Sequence, residues 1–211
     1  MSFRPLIAGQ WYMIFLFLIS LAGSAQPAES WKLQKQRDGI SIYSGFSEGS
    51  KYKSIRAVTE FQCELPDILA LMKDVESHDE WVSHCMEAIF LGSSGDTNIV
   101  LYEYYDLPWP ASDRDIIIEY NIRYDPAENM AWIRQEGRPD FLPVKSNMIR
   151  IPEYRGSWRL VGQPDGKVYG EYTALVEPGG FVPAWIVNIF AGKGPYDTIV
   201  NLKRAVEKVG Y

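Results

Sequence analysis

Residues 100–124 read VLYEYYDLPWPASDRDIIIEYNIRY. From Asp115 onward the run alternates with period 2. Ile116, Ile118, Tyr120 and Ile122 share one face; Asp115, Glu119, Asn121 and Arg123 populate the other, with Ile117 among them. Successive strand side chains point to opposite faces, so this pattern predicts a strand of an antiparallel sheet that covers something apolar on one side only. Residues 97–105 read as the strand before it. The stretch between, residues 106–113, carries Pro108 and Pro110 and is expected as a loop.

Further strands are expected at residues 40–44, 52–62, 86–91, 130–136, 147–151, 158–162 and 167–177, about nine in all. Turn-forming residues separate them at residues 93–96, 125–126 and 164–166. Two helical regions break the pattern. In residues 65–75, Leu65, Ile68, Leu69, Met72 and Val75 fall on one helical face, and Pro66 suits a first turn. A polar stretch, residues 76–80, then leads to Trp81. The C-terminal region reads as two helical pieces, residues 183–190 and 196–209, interrupted by Gly192-Lys193-Gly194-Pro195. In the second piece Ile199, Leu202, Val206 and Val209 form one stripe, with Lys203, Arg204, Glu207 and Lys208 largely off it. The fold class expected is α+β: a curved antiparallel sheet with a long C-terminal helix across its concave face, an arrangement that leaves room for an internal cavity.

No repeat, low-complexity block or linker divides the chain, and residues 29–211 read as one domain. Apolar residues make up 46% of the chain and aromatics 14%, which calls for either a thick core or a large apolar cavity. Residues 1–25 read differently. Arg4 is their one charge, residues 11–22 are WYMIFLFLISLA, and small residues follow at Ala22-Gly23-Ser24-Ala25. That is the pattern of a signal peptide cleaved after Ala25 or Ser24, and a periplasmic or secreted protein is expected. An uncleaved anchor is the alternative, although the run is shorter than the roughly 20 residues that span a bilayer. Without residues 1–25 the chain keeps 20 basic and 27 acidic residues, a net charge of −7. Nucleic acid is a poor partner for such a chain, as is tight adhesion to an anionic membrane. Cys63 and Cys85 either form a disulfide, which export permits, or stand as two buried thiols.

The segment from Val100 to Asp115 resembles the hallmark of START lipid-transfer domains, where a strand runs into a Pro-aromatic-Pro loop and then an Arg-Asp pair that opens the next strand. GISIY at residues 39–43 resembles the family's first strand, Glu80-Trp81 its Trp after the first helix, and EPGGFVPAWIVN at residues 177–188 its approach to the last helix. The matches keep the family's order and cover nearly all of the chain from Trp31 onward. The resemblance implies a helix-grip fold that holds one lipid or other hydrophobic molecule under the C-terminal helix, with no cofactor. It implies ligand contacts from His78, Glu103, Tyr105, Ile116, Ile118, Tyr120, Tyr154, Trp185 and Ile189. It also implies a lid built from residues 106–113 and the last helix, with Leu107, Trp109 and Gly180 at its edge. Leu107 and Trp109 either touch a bilayer transiently or pack inward as the underside of the lid. Glycines at 179, 180, 192 and 194 flank the first helical piece and are the expected hinges. A monomer is expected.

The head-group sites of the family are not reproduced. Its phosphatidylcholine carriers, which the chain resembles, hold choline in an aromatic cage beside an Arg. The Arg position reads His78 here, and the cage positions read Glu103, Ile116 and Tyr154. Sterol-binding members place a buried Arg where Tyr120 stands. An inward carboxylate at Glu103 needs a partner: either a polar group of the ligand or an internal cation, with Arg134 of a later strand the candidate. Arg114 is expected to brace the loop by pairing with carboxylates at the strand mouth. No Cys-x-x-Cys or His-Glu-x-x-His spacing, Gly-x-Ser-x-Gly elbow or phosphate-binding glycine loop occurs, so neither a metal nor a catalytic site is expected. The alternative function is a helix-grip enzyme of the cyclase or hydrolase type, for which Glu103 with His78 or Tyr120 is the acid/base set.

Overall fold

In chain order, β1 (Lys32–Arg37), β2 (Ile40–Phe46) and β3 (Lys53–Phe61) form a meander. Two helices follow, α1 (Leu65–Lys73) and the short α2 (His78–Trp81), with a 3-10 turn at Val75–Ser77 between them. Next come β4 (Cys85–Ser94), β5 (Asn98–Tyr105), β6 (Arg114–Asp125), β7 (Met130–Gly137), β8 (Ile149–Arg150), β9 (Glu153–Gly162) and β10 (Val168–Glu177), then helix α3 (Gly194–Val209). This computed structural model describes residues 31–46, 52–181 and 192–209. The expected signal peptide at residues 1–25, the helical piece at 183–190, and with it Trp185 and Ile189, lie outside the described residues.

The strands make one curved sheet in the order β1-β2-β3-β10-β9-β7-β6-β5-β4, antiparallel throughout, with β8 pairing parallel to β6 off that path. Because β3 lies third in the sheet and β4 at its far edge, the α1–α2 connection must cross the open side. Helix α3 packs there too, against α1, α2, β2 and β3. Register shifts in the β4–β5 pair, between Cys85 and Glu87 and between Phe90 and Gly92, mark bulges that bend the sheet further.

The alternation read in β6 is real. Ile116, Ile118, Tyr120 and Ile122 are buried on the concave face. Ile117, the apolar exception on the other face, is fully buried as well. Its register partner Tyr102 lies under the segment after β7, where Lys145 Nζ reaches the Tyr102 hydroxyl at 2.9 Å, and Arg138 N–H donates to the Ile117 carbonyl at 2.8 Å. In α3, Tyr196, Ile199, Leu202 and Val206 form the buried stripe, each contributing about 1.5–3 kcal/mol on leaving water.

Among the described residues ten strands replace the nine expected. The addition, β1, is an edge strand whose sequence KLQKQR carries no apolar alternation because almost all of it is exposed. The strand expected at 147–151 shrinks to the two residues of β8, and the one expected at 158–162 extends back to Glu153. The helix expected at 65–75 stops at Lys73, and the polar stretch behind it is not a loop. It forms the 3-10 turn and α2, which carry His78 and Trp81 into the core.

Candidate ligand cavity

A cavity of about 110 Å³ lies between the concave face of the sheet and the helical layer. Its apolar wall includes Leu107, Ile116, Ile118, Trp158 and Val176, from strands β6, β9 and β10 and the loop after β5. Of the residues anticipated from sequence, Glu103, Tyr105, Leu107, Ile116, Ile118, Tyr120 and Tyr154 line it. His78 is brought to the site but stands behind the wall.

There it pairs with Glu103. His78 Nδ1 lies 2.9 Å from Glu103 Oε1, and both side chains are buried. Nε2 lies 3.2 Å from the Met72 carbonyl. A carbonyl only accepts, so Nε2 carries a proton, and one further proton lies between Nδ1 and Oε1. The other carboxylate oxygen, Oε2, accepts the Tyr105 hydroxyl. The internal partner of Glu103 is therefore His78 and not Arg134. Inward positions on β7 are Ala131, Ile133 and Gln135, so Arg134 points outward and pairs with Glu136 at 3.2 Å in solvent.

A second polar chain crosses the floor. Tyr154 donates to Gln135 Oε1 at 2.8 Å, and having given its proton there it accepts from Tyr172, 2.9 Å away. Gln135 also stands opposite Tyr120 as its register partner on β6. The Trp158 ring stacks on Tyr172 with centroids 4.6 Å apart. Burial, reinforced by the Glu103 carboxylate, holds the phenols of Tyr105 and Tyr120 well above the usual tyrosine range. Burial and the neighbouring Tyr172 do the same for Tyr154, and burial pushes Tyr172 up to about 12. All four are neutral hydrogen-bonding groups near neutral pH. Gly156 belongs to this floor, since a Cβ there would collide with Gln135 Oε1 and the Tyr154 hydroxyl.

Several lining residues were not anticipated from the sequence, Trp81, Gln135 and Tyr172 among them. Trp81 lines the cavity, 4% exposed, and its Nε1 has no hydrogen-bond partner. Gln135 and Tyr172 also line it. Gln135 did leave a signal, as a polar residue on the otherwise apolar inward face of β7. Tyr172 shares a face of β10 with Ala174 and Val176 and was legible only as strand alternation.

The rim is built around Arg114, whose side chain is fully buried. It does not pair with carboxylates, as its position suggested. Its guanidinium donates to the Ser112 carbonyl and, at 3.4 Å, to the carbonyls of Pro178, Gly179 and Phe181. One cation thereby ties the loop 106–113 to the segment leading out of β10. The carboxylates are used otherwise: Asp113 accepts Leu107 N–H at 3.2 Å and the Tyr104 hydroxyl at 2.9 Å, and Asp115 takes Arg150 in a bidentate pair at 2.8 and 3.0 Å. On this rim Leu107 turns inward, 4% exposed, and Trp109 turns outward, 91% exposed. Phe181 is 85% exposed. Gly180 sits at φ +59°, in the left-handed region, with Ile149 Cδ1 only 2.6 Å from where a Cβ would be. Cys63 and Cys85 are separate buried thiols; burial raises Cys63 to about 11 and Cys85 further.

A curved antiparallel sheet closed by a C-terminal helix over an apolar chamber is a helix-grip fold of the lipid-binding class. The chain is 33% identical over 191 residues to an uncharacterized protein of Pseudomonas aeruginosa, across 90% of this chain and 93% of that one. It is 26% identical over 196 residues to the phosphatidylcholine transfer protein of Bos taurus, across 89% of this chain and 87% of that one. The crystal structure of a STAR-related lipid transfer protein fragment from Xanthomonas axonopodis superposes with a TM-score of 0.76 at 26% identity, covering 84% of this chain and 98% of that one. No family model matches the sequence. In fold, and in sequence along most of its length, the chain is similar to START lipid-transfer domains.

Proposed function

We propose that this protein takes one lipid or similar hydrophobic molecule into the cavity between sheet and helices, and carries it between membranes outside the cytoplasm. The observation that carries the reading is the split at the rim: Leu107 forms cavity wall while Trp109, two residues on, is presented to solvent. A carrier needs both, a closed apolar chamber and an apolar group free to enter a bilayer. A lipid with two acyl chains has roughly 30 methylenes, each costing about 0.8 kcal/mol in water, so an open groove would not retain it. The chamber, about 110 Å³, is smaller than the 150 Å³ that suffices for benzene in an engineered cavity. Loading a lipid therefore requires the walls to part, and the loops joined by Arg114 are the natural moving edge. Export is inferred from Arg4 and the apolar run at residues 11–22.

A second reading, an enzyme of the cyclase or hydrolase type, draws on the carboxylate in the cavity wall. Each oxygen of Glu103 already carries a hydrogen bond, from His78 and from Tyr105, so a substrate proton would compete with both, which disfavours this reading. One preparation tests both readings. Full-length chain is expressed in a bacterial host, recovered from the periplasm or medium, and examined by native mass spectrometry with lipid extraction. The expected result is a mature N-terminus at or near Gln26 and about one lipid per chain. Empty protein that turns over a small aromatic substrate would establish the enzyme instead, and full-length chain confined to the cytosol would end the export reading.

A further inference from the structure

We propose that the cavity receives the uncharged oxygen of a lipid's polar end, a hydroxyl or a carbonyl, on Trp81 Nε1, and that it rejects lipids whose head group carries a phosphate. The inference rests on the cavity reading above and adds the class of ligand.

The first ground is Trp81. Its indole is part of the cavity wall, and Nε1 is the one buried side-chain nitrogen or oxygen among the described residues without a hydrogen-bond partner. An indole N–H only donates, so it is satisfied by an acceptor and by nothing else. Buried polar groups are paired in the great majority of cases, and those that are not call for a partner supplied from outside. Its neighbour in the fold is the His78 ring, edge-on at 4.7 Å, which is already committed to Glu103 and Met72.

The second ground is charge. Among the described lining residues the sole basic side chain is His84, half-buried, which also borders a groove on the outer surface. The two buried arginines are spent elsewhere, Arg114 on backbone carbonyls and Arg150 on Asp115. Residues 182–191 contain no Lys, Arg or His in their sequence. A phosphodiester drawn into this chamber would bury a full negative charge near Glu103 with no counter-charge to meet it. An amine would have to compete for Glu103, which already pairs with His78 and accepts from Tyr105. What remains is a neutral indole donor beside neutral hydroxyls and an amide. These groups complement a hydroxyl, an ester carbonyl or a ketone.

The test offers the full chain, stripped of lipid, to vesicles of phosphatidylcholine doped with dioleoylglycerol, and separately with phosphatidate. Bound lipid is read by native mass spectrometry after the vesicles are removed. Dioleoylglycerol should occupy the protein at least about tenfold in preference to either phospholipid at equal abundance, roughly the effect of one buried polar mismatch. Phospholipid bound as well as dioleoylglycerol would overturn this inference while leaving the carrier reading intact; a protein that takes up no lipid at all would sink both. Trp81→Phe keeps the ring and removes the N–H. It should fold normally and lose dioleoylglycerol occupancy about tenfold. Occupancy equal to that of the parent protein would remove Trp81 from the site.

Discussion

Glu103 lies in the cavity wall with two donors on one carboxylate, and its cost is met from a residue 25 positions earlier in the chain. Removing one member of a buried pair leaves the other uncompensated, whereas replacing both with apolar groups of similar size removes the problem. His78→Leu should therefore destabilise the protein by about 3–5 kcal/mol. The double variant His78→Leu with Glu103→Leu should recover most of that loss. Urea unfolding of the three proteins measures both. A double variant no more stable than His78→Leu alone would show that the ring's packing against Trp81 matters, and not the pairing. That Glu103 faces inward was legible from the alternation of β5. Its partner was not, because His78 arrives on α2, a four-residue helix with no apolar periodicity to announce it.

The loop 106–113 and the segment 178–181 behave as one element because Arg114 holds carbonyls of both. Trp109 projects from it with almost no contact to the rest of the molecule, so it contributes little to stability or to ligand affinity. Burying such a ring in a bilayer is worth roughly 1.5–3 kcal/mol, comparable to other large apolar side chains. Trp109→Ala should accordingly slow lipid transfer between vesicles by on the order of tenfold. Equilibrium occupancy and melting temperature should stay within error of the parent. A fall in occupancy with no change in transfer rate would mean that the ring closes over the ligand instead. The prolines at 108 and 110 marked this loop in the sequence, but not the direction in which each side chain points. That direction follows from Asp113, whose carboxylate fixes the Leu107 backbone N–H and so turns the Leu107 side chain into the cavity.

Across the whole molecule, the four cavity tyrosines come from four different strands, β5, β6, β9 and β10, and only global unfolding exposes them together. Each phenol is raised in the folded state: Tyr172 to about 12, Tyr105, Tyr120 and Tyr154 well above 10. Below pH 10 both folded and unfolded chains keep these protons, and the phenols leave stability unaffected. Above it the unfolded chain releases them while the folded chain does not, so the unfolded state binds fewer protons and stability falls as pH rises. Each tyrosine contributes at most about 1.4 kcal/mol per pH unit, over the window from about 10 to about 12 for Tyr172. The urea midpoint should therefore begin to fall near pH 9, where the two buried thiols start to count, and drop more steeply beyond about 10 as the tyrosines join them. Tyr154→Phe should lessen that slope by about one proton. An unchanged slope in that variant would mean that Tyr154 ionises freely in the folded protein.

Sequence alone determined what is local. Period 2 in residues 115–124 declared a strand with one apolar face, and the stripe Ile199, Leu202, Val206 declared the helix that covers it. Motif order pointed to the family resemblance, and with it to the concave face as cavity wall. These signals survive in one dimension because strand and helix repeats are written in neighbouring residues. Tertiary structure decided whatever depends on which strands become neighbours: that Glu103 meets His78 and not Arg134, that Arg114 grips carbonyls and not carboxylates, and that Trp81, a residue of the cavity wall, keeps a buried N–H without a partner. Hydrogen-bond partners are chosen within about 3 Å of space. Separations of 25 residues for His78 and Glu103, and of 64 for Arg114 and Pro178, leave no periodic trace in the chain, so only the folded sheet can assign them.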